Sequence, residues 1–214
     1  MKRKILCLFP ICLIILLLTL TACNSTDQEE TNPVDVTPEA PVPNEADYSA
    51  LGMTDDEVRM WEERGTANVD SAEVASMLAG FKVVTPGFIP QSLRPISKYM
   101  VNDHQAGLRN AGMEPRFEWI DVTLLYAPEG ERILALTFLQ STHKFNEGLG
   151  EPVEICDRTV ERERIPPEPD APGTNGGVAF GWESNVIWYY LTGTLTDTID
   201  EATLEKVLCS ITTD

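Results

Sequence analysis

The first 22 residues decide which part of this 214-residue chain is able to fold. Basic residues at positions 2–4 precede an apolar run over residues 5–20, and the small residues Thr21 and Ala22 follow it. A charged start, an apolar middle and a small-residue cleavage site are typical of a secretory signal. The alternative is an uncleaved signal anchor, but a run of 16 residues that contains Pro10 falls short of the roughly 20 residues needed to span a bilayer. We therefore expect residues 1–22 to be a signal peptide that is absent from the folded domain.

The residues at the end of this run also carry a resemblance. Leu20, Thr21, Ala22 and Cys23 resemble the lipobox of bacterial lipoprotein precursors, in which the signal peptide is cut just before the cysteine. The resemblance implies that Cys23 becomes the mature N-terminus and carries a diacylglycerol on its sulfur. One acyl chain binds a membrane only marginally, whereas two hold it stably. It therefore implies a protein anchored to the bacterial cell membrane through Cys23, on its extracytoplasmic face, periplasmic or at the cell surface.

Residues 23–52 have the composition of a disordered linker. After Cys23 this segment holds seven acidic residues, four prolines, no basic residue and almost no large apolar side chains. Such a chain cannot bury enough apolar surface to offset the entropy lost on ordering. As a flexible coil it spans about 30 Å. The segment is expected to hold the domain away from the membrane.

The net charge disfavours nucleic acid and anionic lipid headgroups as partners. The net charge is −18 for the whole chain, and removal of residues 1–22, with three basic and no acidic residues, takes it to −21. Nucleic acid binding requires Lys and Arg to neutralise phosphates, so no nucleic acid partner is expected. The 162 residues from position 53 onward suffice for one hydrophobic core.

Residues 53–80 show two short helix patterns. Thr54 and Glu57 form a capping-box pattern and Gly65 is a stop signal, which predicts one helix between them. A second helix is predicted from Asp70 or Ser71 to Gly80. Both are expected to pack on the domain that follows.

The pattern of residues 81–214 predicts an antiparallel sheet followed by a C-terminal helix. A hairpin is predicted around residues 128–130 and another around Ser184 and Asn185. Residues 152–165 are predicted to be one strand, whose alternating Glu and Arg side chains are typical of a solvated sheet edge. Residues 197–211 have apolar residues at helical spacing. The fold class predicted is α+β: an antiparallel β-sheet of about six to seven strands, packed by two short N-terminal helices and one C-terminal helix.

Five segments, taken in order, resemble an extracytoplasmic bacterial family named domain of unknown function 4367. They are Val84-Thr85-Pro86-Gly87-Phe88-Ile89-Pro90, Val122-Thr123-Leu124-Leu125-Tyr126, Leu134-Ala135-Leu136-Thr137-Phe138-Leu139-Gln140, the pair Gly181-Trp182 with Trp188-Tyr189-Tyr190-Leu191-Thr192-Gly193, and the helix over residues 204–211. The resemblance covers about residues 81–212. It implies a small antiparallel sheet with helices, usually tethered to a membrane, and it implies no catalytic residue.

The sequence contains no recognisable set of catalytic residues. The two histidines, His104 and His143, lie in polar stretches 39 positions apart, and no Cys or carboxylate set has the spacing of a zinc site. Nucleophile-elbow, phosphate-loop and zinc-protease motifs do not occur. No catalytic residue, metal or cofactor is therefore predicted.

Two other groups of residues are candidates for a structural or binding role. Cys156 and Cys209 are the cysteines left after Cys23, and outside the cytoplasm such a pair favours a disulfide, with two buried thiols as the alternative. Five aromatic residues on the predicted sheet are either core residues or part of an apolar face that binds a hydrophobic ligand: Trp119, Phe138, Trp182, Trp188 and Tyr190.

These observations leave three functional hypotheses. The first is a non-enzymatic, lipid-anchored module that binds or senses an envelope protein. The second is a carrier of a lipid or hydrophobic ligand, which requires an apolar cavity between sheet and helices. The third is a hydrolase, which requires converging carboxylates with raised pKa values.

Replacement of Cys23 tests the anchor. Cys23→Ala removes the sulfur that would carry the diacylglycerol, so we expect the protein to leave the membrane fraction and to lose incorporation of labelled palmitate. Unchanged processing and fractionation of Cys23→Ala would contradict the prediction.

Overall fold

The computed structural model describes residue 48 and residues 51–114, 119–129, 134–145, 150–167 and 175–213. All of them belong to one compact unit, Glu45–Asp214. The predicted signal peptide, Cys23 and the linker up to residue 47 lie outside the described residues. None of the helices in the described part has the length and apolar character required to cross a membrane.

The described residues form four helices and nine strands. In chain order these are α1 (Asp55–Arg64), β1 (Thr66–Val69), α2 (Ala72–Ala79), β2 (Leu93–Pro95), β3 (Tyr99–Asp103), α3 (Ala106–Asn110), β4 (Ile120–Pro128), β5 (Leu136–Ser141), β6 (Glu151–Ile155), β7 (Arg158–Ile165), β8 (Gly177–Ser184), β9 (Ile187–Thr194) and α4 (Glu201–Cys209).

All nine strands belong to one antiparallel sheet. The spatial order is β1-β3-β4-β5-β9-β8-β7-β6, and β2 pairs with β4 beside the end of β3. The α+β class and the antiparallel sheet are therefore confirmed. The predicted count of six to seven strands is wrong, because β1 lies between the two N-terminal helices and the predicted strand over residues 152–165 is two strands, β6 and β7.

The helix signals near the N-terminus are accurate. Thr54 and Glu57 form the capping box of α1, and Gly65 ends that helix in the left-handed conformation. Ser71 caps α2, and Gly80 ends it in the same way. The C-terminal helix begins later than predicted, with Asp200 as its cap, and α3 was not predicted at all.

The edge-strand interpretation of residues 161–164 is wrong. β7 pairs with β6 on one side and with β8 on the other, so β6 is the edge strand. On β7, Arg162 and Arg164 reach the same carboxylate, that of Glu201 on α4, at N–O distances of 3.1 and 3.0 Å. The arginine side of the strand therefore anchors the start of α4, with Arg162 largely buried and Arg164 still 63% exposed.

One face of the sheet carries α1, α2 and α4. The register aligns Leu124, Phe138, Leu191 and Phe180 across four central strands, and these side chains pack with the buried apolar side of α4. The side chains of β1 and β3 on the same face pack with α2, and α1 lies against them. We call this the helix-packed face.

The other side of the sheet, which we call the opposite face, is formed by the alternate residues of the same strands. It is defined by Thr123, Leu125, Thr137, Leu139, Trp188, Tyr190 and Thr192. All of these except the buried Tyr190 are half-buried. The apolar side chains that the β4–β5 hairpin places on this face are those of Leu125 and Leu139.

A glycine on β9 determines how closely α4 approaches the sheet. Gly193 lies on the helix-packed face, and a Cβ atom built there would come within 2.3 Å of the Leu204 side chain. A side chain at this position would displace the side chain of Leu204, because real Cβ atoms do not approach heavy atoms so closely. Leu204 is itself fully buried, so little space is left for it to move.

Cys156 and Cys209 are joined in the structure. Cys156 lies in the turn between β6 and β7, Cys209 is the last residue of α4, and their Cα atoms are 5.5 Å apart. The bridge links residues separated by 53 positions in the chain. It ties the end of α4 to the edge of the sheet.

Removal of this bridge is expected to lower stability substantially. In the loop-entropy model a bridge over this separation contributes about 4 kcal/mol, so urea unfolding of Cys156→Ser/Cys209→Ser should give a free energy of unfolding lower by roughly that amount. The native protein should take up iodoacetamide at these cysteines only after reduction, as mass spectrometry will show. Two thiols that alkylate without reductant would contradict the bridge.

Candidate functional site

The five aromatic ligand candidates do not form one surface. Phe138 and Trp182 lie on the helix-packed face, where their rings are 6.3 Å apart between centroids and are buried in the core. Trp188 and Tyr190 lie on the opposite face, and Trp119 immediately precedes β4. Only three of the candidates are therefore placed where a ligand could approach without displacing α4.

The rings on the helix-packed face are buried in the core. Tyr189 stacks on Trp182 at 5.3 Å between centroids, and burial raises the pKa of its hydroxyl. Burial, with a smaller contribution from Tyr99, raises the pKa of Tyr126 to about 12. Both shifts have the sign expected where desolvation disfavours the phenolate. These side chains form core rather than an accessible site.

The two histidines contact the same tryptophan. His104 stacks on Trp119 with ring centroids 4.3 Å apart, and His143 lies 5.2 Å from the same ring. Phe145 meets Trp119 edge-on at 5.1 Å and Tyr190 at 5.7 Å. We call His104, Trp119, His143, Phe145 and Tyr190 the imidazole–aromatic cluster. Both histidines are exposed, as their polar sequence surroundings suggest, but they lie close together in the fold.

A buried carboxylate orients one of these imidazoles. Asp121 on β4 has a side chain that is only 5% exposed, and its Oδ2 contacts Nε2 of His104, whose side chain is 38% exposed. Its Oδ1 accepts a hydrogen bond from Asn102 Nδ2 at 2.9 Å. Since an ionised carboxylate only accepts, Nε2 of His104 is assigned as the protonated nitrogen. The chain Asn102–Asp121–His104 therefore fixes the imidazole plane.

The segment after β5 folds onto the opposite face. The backbone N–H of Phe145 donates to Tyr190 Oη at 2.8 Å. Lys144 Nζ lies 4.3 Å from the centroid of Trp188 and 3.1 Å from Oε1 of Glu161. Residues 142–145 thereby cover part of the aromatic surface and bring a cation to it.

The cluster has the groups to bind a ligand rather than to perform nucleophilic chemistry. Ser141, opposite Asp121 in the ladder, is fully buried, and its Oγ accepts from His143 N at 3.0 Å, so it is not presented as a nucleophile. Within the described segments, no three His, Cys, Asp or Glu side chains converge as a metal site. Trp119 Nε1 is buried and meets no hydrogen-bond acceptor among the described residues. The side of the cluster open to a ligand is therefore an aromatic surface beside an oriented, 38% exposed imidazole, which suits a flat molecule with a hydrogen-bond acceptor.

Comparison with known proteins identifies no relative. No family model matches the chain, and neither a curated protein nor a solved structure matches it. The lipobox and the resemblance to domain of unknown function 4367 therefore stay predictions.

Sequence reasoning missed Asn102, Asp121 and the clustering of the histidines. Asn102 and Asp121 are cross-strand neighbours only because β3 pairs with β4 in this register. One signal was available: Asp121 interrupts an otherwise apolar strand, and a carboxylate in such a position needs partners.

The Asp121 network is expected to be a stability determinant. Asp121→Asn leaves a buried amide where two donors need an acceptor, so the free energy of unfolding in urea should fall by about 1–3 kcal/mol. Asp70→Asn is the matched control, because its carboxylate is 79% exposed and pairs with Lys98 at 2.9 Å. Such a surface pair contributes at most about 1 kcal/mol. Equal losses in the two variants would contradict a special role for Asp121.

Proposed function

We propose that this protein is a lipid-anchored, extracytoplasmic binding module of the bacterial cell envelope that recognises its partner on the opposite face of its sheet. The observation that carries the proposal is the asymmetry of the sheet. α1, α2 and α4 pack on one face, while the other holds half-buried Leu125, Leu139 and Trp188 beside the imidazole–aromatic cluster.

The anchor and the tether support the location. The signal pattern at residues 1–22 and Cys23 would fix the mature N-terminus to the membrane, and the acidic linker would give the domain about 30 Å of reach. The pairing of Cys156 with Cys209 suits an oxidising compartment.

The chemistry of the opposite face supports protein or small-molecule binding. Half-buried Leu, Thr and Trp side chains alternate across the central strands. Aromatic residues with one polar atom are enriched where proteins bind partners, because they supply apolar area together with a hydrogen bond. The high negative charge of the chain disfavours nucleic acid as the partner.

The alternative function is that of a carrier of a lipid or hydrophobic ligand. The aromatic side chains of Trp188, Tyr190 and Trp119 favour this alternative. Phe138 and Trp182 weigh against a site under α4, since they are 0% and 4% exposed in a packed core. Ser141, the serine beside the cluster, is fully buried, which weighs against its use as a nucleophile for hydrolysis. We therefore propose no enzymatic activity.

Site-specific photocrosslinking in intact cells tests the proposal. A benzoylphenylalanine at Leu139, on the opposite face, should give a discrete adduct, because this face is the proposed contact surface. The same residue at Met77, which is 49% exposed on α2, is the matched control and should not. Trp188→Asp, a charge placed on the same face as Leu139, should abolish the adduct.

The outcome distinguishes the functions. A lipid adduct at Leu139, with the same lipid seen by native mass spectrometry of the purified full chain, would favour the carrier. Equal labelling from Leu139 and Met77, or an adduct indifferent to Trp188→Asp, would contradict a binding role for the opposite face.

A further inference from the structure

The segment after β5 places a cation and an aromatic ring, adjacent in the chain, on the opposite face. Lys144 Nζ lies 4.3 Å from the centroid of the Trp188 ring and 3.1 Å from Oε1 of Glu161. The ring of Phe145 meets Tyr190 edge-on with the centroids 5.7 Å apart, and the Phe145 N–H donates to Tyr190 Oη at 2.8 Å. The opposite face therefore already contacts a cation–aromatic pair that belongs to its own chain.

The charges of the opposite face favour a cationic partner. Glu183 pairs directly with Trp188 across β8 and β9. Glu161 lies two strands from Tyr190 in the same row of the sheet. Glu163, two positions further along β7, projects to the same side, and both Glu163 and Glu183 are exposed. The positions that β5, β7, β8 and β9 contribute to this face contain no Lys or Arg. A positively charged segment is therefore the electrostatically complementary partner.

The contacts of Lys144 and Phe145 are of a kind that another chain can replace. Both residues are half-buried and lie beyond the end of β5, whose pairing with β4 extends to the bond from Thr142 N to Ile120 O at 3.0 Å. The two residues are held by cation–π, ring–ring and hydrogen-bond contacts to side chains, and such contacts are individually weak at partly exposed positions. A competing segment that offers the same groups can take over these contacts one by one.

We propose that the partner of the opposite face is a protein segment in which a lysine or arginine stands next to an aromatic residue, and that Lys144 and Phe145 occupy its site as an internal ligand. The partner's cation takes the place of Lys144 Nζ between Glu161 and the Trp188 ring. Its aromatic side chain takes the place of Phe145 beside Tyr190. This partner chemistry rests on the proposed binding function, to which it adds a competition that limits the partner's affinity.

Fluorescence anisotropy of a labelled peptide tests the competition. The probe is a fluorescent Thr-His-Lys-Phe amide, which repeats residues 142–145, and the protein is the full chain purified in a non-ionic detergent. An internal ligand that fills the site about 90% of the time weakens peptide binding about 10-fold. Lys144→Ala/Phe145→Ala should therefore bind the peptide about 10-fold more tightly than the wild type does.

A matched control removes the same two residue types elsewhere. Phe88 is 41% exposed and its N–H donates to Ser210 Oγ at the end of α4, and Lys206 is exposed on α4. Phe88→Ala/Lys206→Ala should therefore bind the peptide as the wild type does. If Lys144→Ala/Phe145→Ala loses its near-UV circular dichroism, Lys144→Ala alone keeps the Phe145 ring and should still bind about 2- to 5-fold more tightly than the wild type.

A charge substitution tests the chemistry of the partner. In the Lys144→Ala/Phe145→Ala background, Glu161→Gln removes the carboxylate that pairs with the cation, so the peptide should bind about 5- to 10-fold more weakly. Its affinity should also become less sensitive to NaCl. Glu73→Gln, an exposed position on α2, is the matched control and should leave the affinity unchanged. A peptide with Glu in place of Lys should not bind, because it would meet a surface of like charge.

Three results would overturn the proposal. Equal affinity of the peptide for the wild type and for folded Lys144→Ala/Phe145→Ala would show that these residues do not compete for the site. Affinity that is indifferent to Glu161→Gln, or to Glu in place of Lys in the peptide, would show that the partner's cation is not recognised there. A protein adduct from benzoylphenylalanine at Leu139 that excess peptide does not reduce would leave the proposed binding function standing and reject only the partner chemistry.

Discussion

The burial of α4 against the sheet is the interaction on which the rest of the domain depends. Leu204, Val207, Leu208 and Ile211 are at most 1% exposed, and each buried side chain of this kind contributes about 1.5–3 kcal/mol. The contact requires a strand position without a side chain, and Gly193 supplies it. Because α4 covers the central strands, the apolar residues of β5, β8 and β9 become core. On these strands, the side chains left outside the core are those of the opposite face.

The two faces of the sheet consequently have different chemistry although they derive from the same strands. On the helix-packed face, stacked rings and aliphatic side chains exclude water, and burial raises the pKa of Tyr189. On the opposite face, threonines separate leucines and aromatic residues, and a buried carboxylate at one end holds an imidazole in place. A face with this mixture is not needed for folding as a core is, since its side chains are half-buried and several are polar. This composition is the basis for the proposed contact with a partner.

The sequence predicts those parts of the fold that depend on local signals. Capping residues and terminal glycines define α1 and α2, and the two hairpins follow from turn residues between alternating strands. The turn at Cys156 and Asp157 gives no such signal, because both residues adopt positive φ without a glycine, and so β6 and β7 read as one strand. The imidazole–aromatic cluster depends on tertiary contacts between segments far apart in the chain. Sequence spacing alone could not reveal that His104 and His143 share Trp119.

The attachment of α4 at both ends bears on which surface can be functional. At the start of α4, the carboxylate of Glu201 forms ion pairs with both Arg162 and Arg164. At its end, the disulfide and the bond from Arg158 to Ile211 O hold it to the edge of the sheet. A ligand that entered between α4 and the sheet would have to break contacts at one end as well as separate the buried leucines. Among the described residues, a ligand on the opposite face would displace only residues 142–145. The lower energetic cost of the second route is the physical reason for proposing that recognition takes place on the opposite face.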